Sequence, residues 1–305
     1  MKVLQRLGLR LDTWGGKARM RRFREMNNAA DVAFYSTSGV QYRYRERQGP
    51  SADCPTIVFA ADPPATVEFY DHLLDVFGAH FRVVVFELPA MGFSATEPSY
   101  RFGFRETNDD VASFLRAVVG ERAVLAFSCV ATLAALDIAA RYPDLVSHLV
   151  NIQGGSVAAF NRWKAARDPK GILARPIIGQ LVMKRIAPKR MPAWYHISTG
   201  RRERMPDFCA CAKRTLDDGA LWSLASAYQV YMNPTLELPT PAQPMLGFWG
   251  AADRSHPDGN REVCAAATTG EFVTLEGLGH APEVECPQTV LPHVLEFLGL
   301  TGPES

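Results

Sequence analysis

The sequence lacks a C-x-x-C pair. Its six cysteines are scattered along the chain. This scatter argues against a structural zinc site and against a small disulfide framework, because both depend on closely spaced cysteines. Reduced thiols in a cytoplasmic protein are the simplest interpretation.

Long apolar runs and an excess of one charge are also missing. No stretch of about 18 apolar residues is present to cross a membrane, and the first residues lack the apolar core of a signal peptide. Lys and Arg number 33 and Asp and Glu number 32, so the net charge offers no general attraction to nucleic acid. We expect a soluble protein with no transmembrane segment and no nucleic-acid partner.

Short apolar runs alternate with helical patterns along most of the chain. An opening hairpin is predicted at Val32–Tyr35 and Val40–Arg45. Buried strands are then predicted at Thr56–Ala60, Arg82–Phe86, Ala123–Phe127, Leu145–Ile152, Met245–Trp249 and Phe272–Leu275. This alternation predicts an α/β fold with a mostly parallel, doubly wound sheet.

The alternation stops between Gly154 and about Leu238, where the chain becomes helical and rich in proline. This change predicts an insertion over the carboxyl ends of the strands, where α/β proteins bind ligands. We therefore divide the chain into a core of residues 31–155 and 239–305, a helical cap of residues 156–238, and an N-terminal extension of residues 1–30.

The extension has the pattern of a basic amphipathic helix that breaks near Gly15-Gly16. Its apolar stripe consists of Val3, Leu7, Leu11 and Trp14. Three interpretations are open: docking on its own domain or on the second subunit of a homodimer, weak contact with an anionic membrane surface, or disorder. Docking is ranked first, because basic helices at chain ends pack more often than they insert.

Ser128 stands at a predicted strand–turn–helix corner, between the strand Ala123–Phe127 and a helical pattern that runs to Arg141. A nucleophile is commonly held on such a turn, with the amide of the next residue, here Cys129, directed at the developing oxyanion. Taken alone the segment is a weak signal, because a buried serine that caps a helix has the same setting.

Three further segments resemble motifs of the α/β-hydrolase superfamily. Glu87-Leu-Pro-Ala-Met-Gly-Phe-Ser94 is similar to its D-x-P-G-x-G-x-S turn, and Gly250-Ala-Ala-Asp253 is similar to its G-x-x-D turn. The segment Gly277–Pro287 resembles the G-x-G-H…E-x-P signature around its histidine. The resemblance extends from about Val32 to Leu298, with serine, acid and histidine in the order of that superfamily.

The resemblance implies a catalytic triad of Ser128, Asp253 and His280. His280 takes the proton of Ser128, and Asp253 fixes the tautomer of the imidazole. The chain departs from the usual G-x-S-x-G elbow, because Ala126 and Val130 replace both glycines. The remaining histidines show no metal-ligand spacing, and we assign them no chemistry.

The resemblance also implies an oxyanion hole at Cys129 and Asp62. Asp62 occupies the loop that usually reads H-G-x-P, in the segment Ala60-Ala-Asp-Pro-Pro64. A carboxylate there would repel an oxyanion unless it is turned away, neutral or paired. Helix capping, proton donation and a polar substrate contact are the alternative roles for Asp62.

Within the cap, we predict that Trp163, Trp194 and Trp222 line an apolar substrate pocket. The cap also carries clusters of Lys and Arg, such as Lys184-Arg185 and Arg201-Arg202. These clusters are either a solvated face or a surface field that attracts an acidic carrier protein or a CoA thioester.

Three functions follow from these residues. The leading hypothesis is hydrolysis of a small-molecule ester or thioester through the triad, with no metal or organic cofactor. The second is a lyase, a cyclase or a cofactor-free oxygenase of the same fold, in which the His280–Asp253 pair acts as a general base. The third is a binding protein with an inactive site.

Overall fold

The computed structural model describes residues 3–12, 31–97, 99–220, 223–233 and 237–300. Within these ranges the chain forms a nine-stranded sheet. The strands are β1 (Val32–Ser36), β2 (Val40–Arg47), β3 (Thr56–Ala61), β4 (Arg82–Glu87), β5 (Ala95–Thr96), β6 (Ala123–Ser128), β7 (Val146–Ile152), β8 (Met245–Gly250) and β9 (Glu271–Leu275). Each predicted strand is present, with ends that differ by at most two residues.

The sheet has the order β1-β2-β4-β3-β6-β7-β8-β9, and the short β5 pairs with β2. Pairing is antiparallel between β1 and β2 and between β2 and β4, and parallel from β4 through to β9. The central strands β3 and β6 are buried along their whole length, as expected of parallel strands covered on both faces. The predicted mostly parallel, doubly wound sheet is confirmed.

Helices cover both faces of the sheet, and each face has its own apolar core. The described helical segments are residues 3–12 (α1), Asp71–Phe77 (α2), Phe104–Phe114 (α3), Ala131–Arg141 (α4), Val157–Arg167 (α5), Ile178–Ser198 (α6), Met205–Asp217 (α7), Leu224–Gln229 (α8), Asn260–Ala267 (α9), Pro282–Glu285 (α10) and Pro287–Phe297 (α11). The segment between β7 and β8 contains α5 to α8, so it is helical as predicted. A search of the described helices for an apolar span of membrane length found no candidate.

The first helix, α1, packs along α6 and α8 of the same chain. Leu9 is buried, and the Asp12 carboxylate accepts hydrogen bonds from the amide (3.1 Å) and hydroxyl (2.6 Å) of Ser226. Lys184 donates to the carbonyl of Leu11 at 2.7 Å, so one cation of the predicted basic clusters serves to hold α1. The face that packs differs from the predicted stripe, because Val3 and Leu7 are exposed. The predicted break at Gly15-Gly16 lies outside the described residues.

Candidate active site

Four side chains meet at the carboxyl ends of the parallel strands. Asp62 follows β3, Cys129 follows β6, Asp253 lies in the loop after β8, and His280 lies in the loop after β9. Polar residues at this edge of an α/β sheet are where such folds place their ligand sites. All four side chains are almost inaccessible to solvent.

The sharp turn after β6 is centred on Cys129. Its φ angle is +50°, in the left-handed region that residues other than glycine rarely adopt. The Cys129 amide donates to the carbonyl of Ile152 at 2.8 Å, which continues the pairing of β6 with β7 up to this residue. A β-carbon on Gly154 would lie 2.7 Å from the Cys129 carbonyl oxygen, so the neighbouring loop presses closely on the turn. Such strain is typical of a residue held for function.

Ser128 is placed differently from its predicted role. It is the last residue of β6, and its hydroxyl donates to Oε1 of Glu283 at 2.6 Å. The described hydrogen bond of the Ser128 hydroxyl is thus to Glu283 and not to His280. The structure brings Asp253 and His280 together as predicted, but the residue beside them is Cys129.

Asp253 is held beside His280 by several hydrogen bonds. Asp253 Oδ2 lies 2.8 Å from His280 Nδ1 and also accepts from Gln153 Nε2 at 2.9 Å. Its other oxygen accepts from the Ser255 amide at 2.7 Å. Burial by itself would raise the pKa of Asp253, but the charge and hydrogen bond of His280 outweigh it and lower the pKa to about 2.

The loop that carries His280 is fixed by close backbone contacts. A β-carbon on Gly250 would lie 1.8 Å from the carbonyl oxygen of Gly279, so β8 and this loop touch through glycines. The amide of His280 donates to the carbonyl of Ser198, at the end of α6, at 2.7 Å. The backbone at His280 is thus fixed by contacts with both the sheet and the insertion.

Glu285 joins the histidine loop to the insertion. Its carboxylate accepts from the amides of Gly279 (3.0 Å), Gly200 (2.9 Å) and Arg201 (2.9 Å). Burial raises the pKa of this carboxyl to about 7. The glutamate of the G-x-G-H…E-x-P segment is therefore a structural residue.

Asp62 contacts the other nitrogen of the His280 ring. Asp62 Oδ2 lies 3.2 Å from Nε2, so the imidazole is enclosed by two carboxyl groups. Burial raises the pKa of Asp62, whereas His280 and Cys129 lower it by smaller amounts. The pKa of His280 lies well above its ordinary value, because Asp253, Cys129 and Asp62 together outweigh the effect of burial. The short contact requires one proton between Nε2 and Asp62.

The predicted oxyanion hole is changed at Cys129. The Cys129 amide is used in the sheet, where it donates to the carbonyl of Ile152. The amide of Val130 follows Cys129 in the chain. It takes the position that the amide after the nucleophile has in a hydrolase elbow.

Cys129 Sγ has two histidines beside it. Sγ, one ring nitrogen of His256 and one ring nitrogen of His280 lie within 4.8 Å of one another. Burial and the nearby Asp62 raise the pKa of the Cys129 thiol to about 11, whereas His280 lowers it. The resting thiol is therefore protonated and needs a base to become a nucleophile.

The same three donor atoms have the composition of a soft-metal site. The nitrogen Nδ2 of Asn260 donates to the carbonyl of Ala159 at 2.9 Å and lies 3.1 Å from His256 Nδ1. His256 Nδ1 must then accept, and its hydrogen lies on Nε2, the nitrogen that faces the site. Because a protonated nitrogen offers no lone pair, we assign no metal to this group.

Glu87, at the end of β4, has a structural role. It accepts from Arg43 Nη1 at 2.9 Å, from the Val67 amide at 3.2 Å and from the Phe93 amide at 2.5 Å. Gly92 has a φ of +63°, and a β-carbon there would lie 2.3 Å from Glu87 Cδ. The glutamate thus shapes the turn that resembles D-x-P-G-x-G-x-S.

Two of the three predicted pocket tryptophans lie against the histidines. The Trp194 ring meets His280 edge-on with centroids 4.9 Å apart, and the Trp163 ring lies 6.3 Å from that of His256. Trp163 Nε1 is buried and has no partner among the described residues. Trp222 lies outside the described residues. Substrate contact by Trp163 and Trp194 stays a prediction.

The buried Glu283 leads to a prediction about stability. Burial raises its pKa from 4.5 to about 7, against a smaller opposing effect of the Ser128 hydroxyl. A carboxyl whose pKa is raised by folding stabilises the protein fully below its unfolded pKa of about 4.5, and this contribution is lost as the pH rises through about 7. The shift corresponds to about 3 kcal/mol.

We therefore expect the Glu283→Gln variant to be stabilised relative to the wild type between pH 5 and pH 8, by up to about 3 kcal/mol. Urea unfolding of both proteins across this range measures the difference. Glu285 titrates in both proteins, so the difference isolates Glu283. A difference that does not change with pH would contradict the assignment.

The comparisons with known proteins agree with the fold. A family model described as Alpha/beta hydrolase family matches residues 57–292. RutD of Pantoea ananatis, which carries the name of a carbamate hydrolase, is 32% identical over 109 residues. That alignment covers 35% of this chain and 39% of RutD, so the chain spans well under half of that relative.

Solved structures of similar fold include several hydrolases. A protein from Klebsiella pneumoniae that carries the name of an epoxide hydrolase is 17% identical, with a TM-score of 0.73 over 89% of this chain and 99% of its own. The haloalkane dehalogenase DbeA from Bradyrhizobium elkanii, as a loop variant, is 18% identical, with a TM-score of 0.64 over 88% of this chain and 96% of its own. At these identities the likeness shows the fold alone.

Proposed function

The chain belongs to the alpha/beta hydrolase family, and from this premise we propose that it hydrolyses an ester or thioester through a covalent acyl group on Cys129. Cys129 takes the place of the predicted nucleophile Ser128, and His280 and Asp253 keep their predicted roles. The observation that carries the proposal is the strained turn at Cys129, with its sulfur beside the ring of His280.

In the first half of the reaction, His280 Nε2 accepts the thiol proton and the sulfur attacks the carbonyl carbon. The imidazolium that forms is stabilised by the ionised carboxylate of Asp253 at Nδ1. As the tetrahedral intermediate collapses, His280 returns the proton to the leaving alcohol or thiol. The acyl group then remains on sulfur as a thioester.

In the second half, His280 takes a proton from water, and the hydroxide attacks the thioester carbon. The bond from carbon to sulfur breaks, the carboxylic acid leaves, and the thiolate recovers its proton from His280. Each half begins and ends with a neutral thiol or thioester, so protons and electrons balance. No metal or organic cofactor takes part in these steps.

Asp62 sets a condition on this mechanism. If Asp62 is ionised, His280 Nε2 keeps its proton in a pair with the carboxylate and cannot accept another from the thiol. If Asp62 is neutral and its hydroxyl turns to substrate, Nε2 keeps its lone pair and can accept the thiol proton. Burial shifts the pKa of Asp62 upward, toward this neutral form.

The buried, aromatic setting supports a small acyl group next to the scissile bond. Trp194 and Trp163 border the two histidines, and Cys129 is only 8% exposed. The carbonyl substrate class agrees with the name of the RutD relative, since a carbamate also presents a carbonyl carbon to a nucleophile. A CoA or carrier-protein thioester would suit the cations of the insertion.

Trapping the acyl group tests the proposal. The protein is mixed with p-nitrophenyl acetate, quenched in acid after less than one turnover, digested, and mapped by mass spectrometry. We expect an acetyl group on the peptide that contains Cys129, and no acetyl group on Ser128 in the Cys129→Ala variant. Acetylation of Ser128, or of no residue in this peptide, would contradict the proposal.

One observation favours a second candidate function. The ring of His280 is held between two carboxyl groups, an arrangement suited to moving a proton. In this alternative the protein is a lyase or a cyclase, with His280 and Asp62 as an acid–base pair and Cys129 as a wall of the pocket. It predicts turnover without an acyl-enzyme.

A further inference from the structure

His256 lies beside the proposed catalytic group, and the mechanism above does not use it. Its ring stacks on the ring of His280, with centroids 5.2 Å apart and planes 25° apart. Trp249 meets it edge-on at 5.2 Å. The side chain is only 6% exposed, so it is part of the buried site.

The tautomer of His256 is fixed by its neighbours. Burial, followed by the charge of His280, lowers the pKa of this ring to about 3, so the imidazole is neutral. Asn260 Nδ2 donates to the Ala159 carbonyl, which orients the amide and presents an N–H to His256 Nδ1. The one hydrogen of the neutral ring is therefore on Nε2.

This N–H has no hydrogen-bond acceptor among the described residues. The carboxylate atom Asp253 Oδ2 is 4.0 Å from His256 Nε2, which is beyond hydrogen-bond distance. A buried donor without a partner costs free energy, commonly about 1–3 kcal/mol. Such a donor persists when a bound ligand supplies the acceptor.

The site has a place for such a donor, because one of its two predicted oxyanion donors is used elsewhere. The Cys129 amide is bonded to the carbonyl of Ile152. The Val130 amide, which follows Cys129, has the place of the amide after the nucleophile in a hydrolase elbow. Two donors are typical of an oxyanion hole.

We propose that Nε2–H of His256 is the second oxyanion donor, and that it binds the oxygen of the carbonyl group that Cys129 attacks. The inference rests on the proposed acyl-enzyme function. A His256 nitrogen lies within 4.8 Å of Cys129 Sγ. That separation allows an oxygen on the carbon bonded to the sulfur to approach the ring nitrogen to the 2.7–3.1 Å that an oxyanion donor needs.

Two reactions of the same sulfur separate this role from a structural one. Acylation by p-nitrophenyl acetate passes through an oxyanion, whereas alkylation by iodoacetamide displaces iodide and forms none. We expect His256→Phe, which keeps an aromatic ring against His280, to slow acylation of Cys129 by about 100-fold or more. Alkylation of Cys129 should keep the wild-type rate.

His256→Gln is the matched variant, since its amide nitrogen reaches nearly the same place as Nε2. It should recover at least part of the loss seen with His256→Phe. The burst of p-nitrophenolate gives the acylation rate. Peptide mapping gives the alkylation rate at Cys129 apart from the other five cysteines. The effect should fall on the rate constant of acylation, with little change in the ester concentration for half-saturation.

The outcomes distinguish the two proposals. If His256→Phe acylates at the wild-type rate while the wild type forms acyl-Cys129, the role of His256 is refuted and the proposed function stands. If acylation and alkylation slow equally, His256 acts on the thiol itself, and the oxyanion role is refuted. If the wild-type sulfur is alkylated but never acylated, both proposals fail.

Discussion

Replacing Cys129 by alanine should lower kcat/KM for an activated ester by about 10⁴-fold or more, because the variant has no atom to form the acyl intermediate. Ser128→Ala is the matched control at the adjacent position. Its hydroxyl binds Glu283, so its loss should change kcat/KM by less than about tenfold and lower the free energy of unfolding by about 1–3 kcal/mol. Steady-state rates and urea unfolding of the three proteins check both statements.

The reverse pattern would identify Ser128 as the nucleophile, as the sequence alone predicts. A third pattern would support the second candidate function: both variants turn over the natural substrate, while His280→Ala does not. The Cys129 and Ser128 variants therefore decide between hydrolysis through sulfur, hydrolysis through oxygen and proton transfer.

Asp253→Asn should lower kcat by about 10⁴-fold, because it should favour the tautomer of His280 that cannot accept the thiol proton. Three donors converge on this carboxylate: His280 Nδ1, Gln153 Nε2 and the Ser255 amide. An asparagine has one acceptor oxygen for these donors, and its NH2 group would face an acceptor on the imidazole. The ring would then carry its hydrogen on Nε2 and could not accept the thiol proton.

Asp62→Asn is the matched control, because it makes the same change at the other nitrogen of the same ring. Asp62 raises the pKa of His280, so its loss should lower that pKa and move the acid limb of the pH–kcat/KM profile to lower pH. The loss of rate at the optimum should be smaller than for Asp253→Asn. Equal losses from the two variants, without a shift of the profile, would contradict the separate roles.

Much of the fold could be predicted from the sequence. Buried parallel strands form continuous apolar runs, and the strands at Thr56–Ala60 and Ala123–Phe127 were predicted to within one residue of β3 and β6. The positions of Asp253 and His280 followed from the motifs around them. Those motifs require glycines at fixed points, and the contact of Gly250 with Gly279 shows the physical reason.

The proposed nucleophile was harder to predict, because its identity depends on whether β6 ends one residue earlier or later. With neither glycine of the elbow present, Ser128 and Cys129 fit the strand–turn–helix corner equally well in sequence. The structure continues β6 through Ser128 and places the positive φ at Cys129. Ala131 is a small residue two positions after Cys129, where the elbow pattern has its second glycine. It was the feature of the sequence that favoured Cys129 over Ser128.

His256 and Glu283 were missed for a different reason. A single histidine three residues after an acid has no motif, and its role depends on Asn260 and on the ring of His280, which is distant in sequence. Glu283 lies within the histidine signature, but its contact with Ser128 joins residues 155 positions apart. Contacts of this kind arise from packing, and local patterns do not encode them.

The carboxylate of Glu285 links the α6–α7 junction to the loop that carries His280. A movement of the insertion that displaced Gly200 and Arg201 would also displace Gly279 through Glu285. The adjacent His280 ring would then lose its alignment with Asp253. The position of the His280 ring therefore depends on the conformation of the insertion as well as on the sheet.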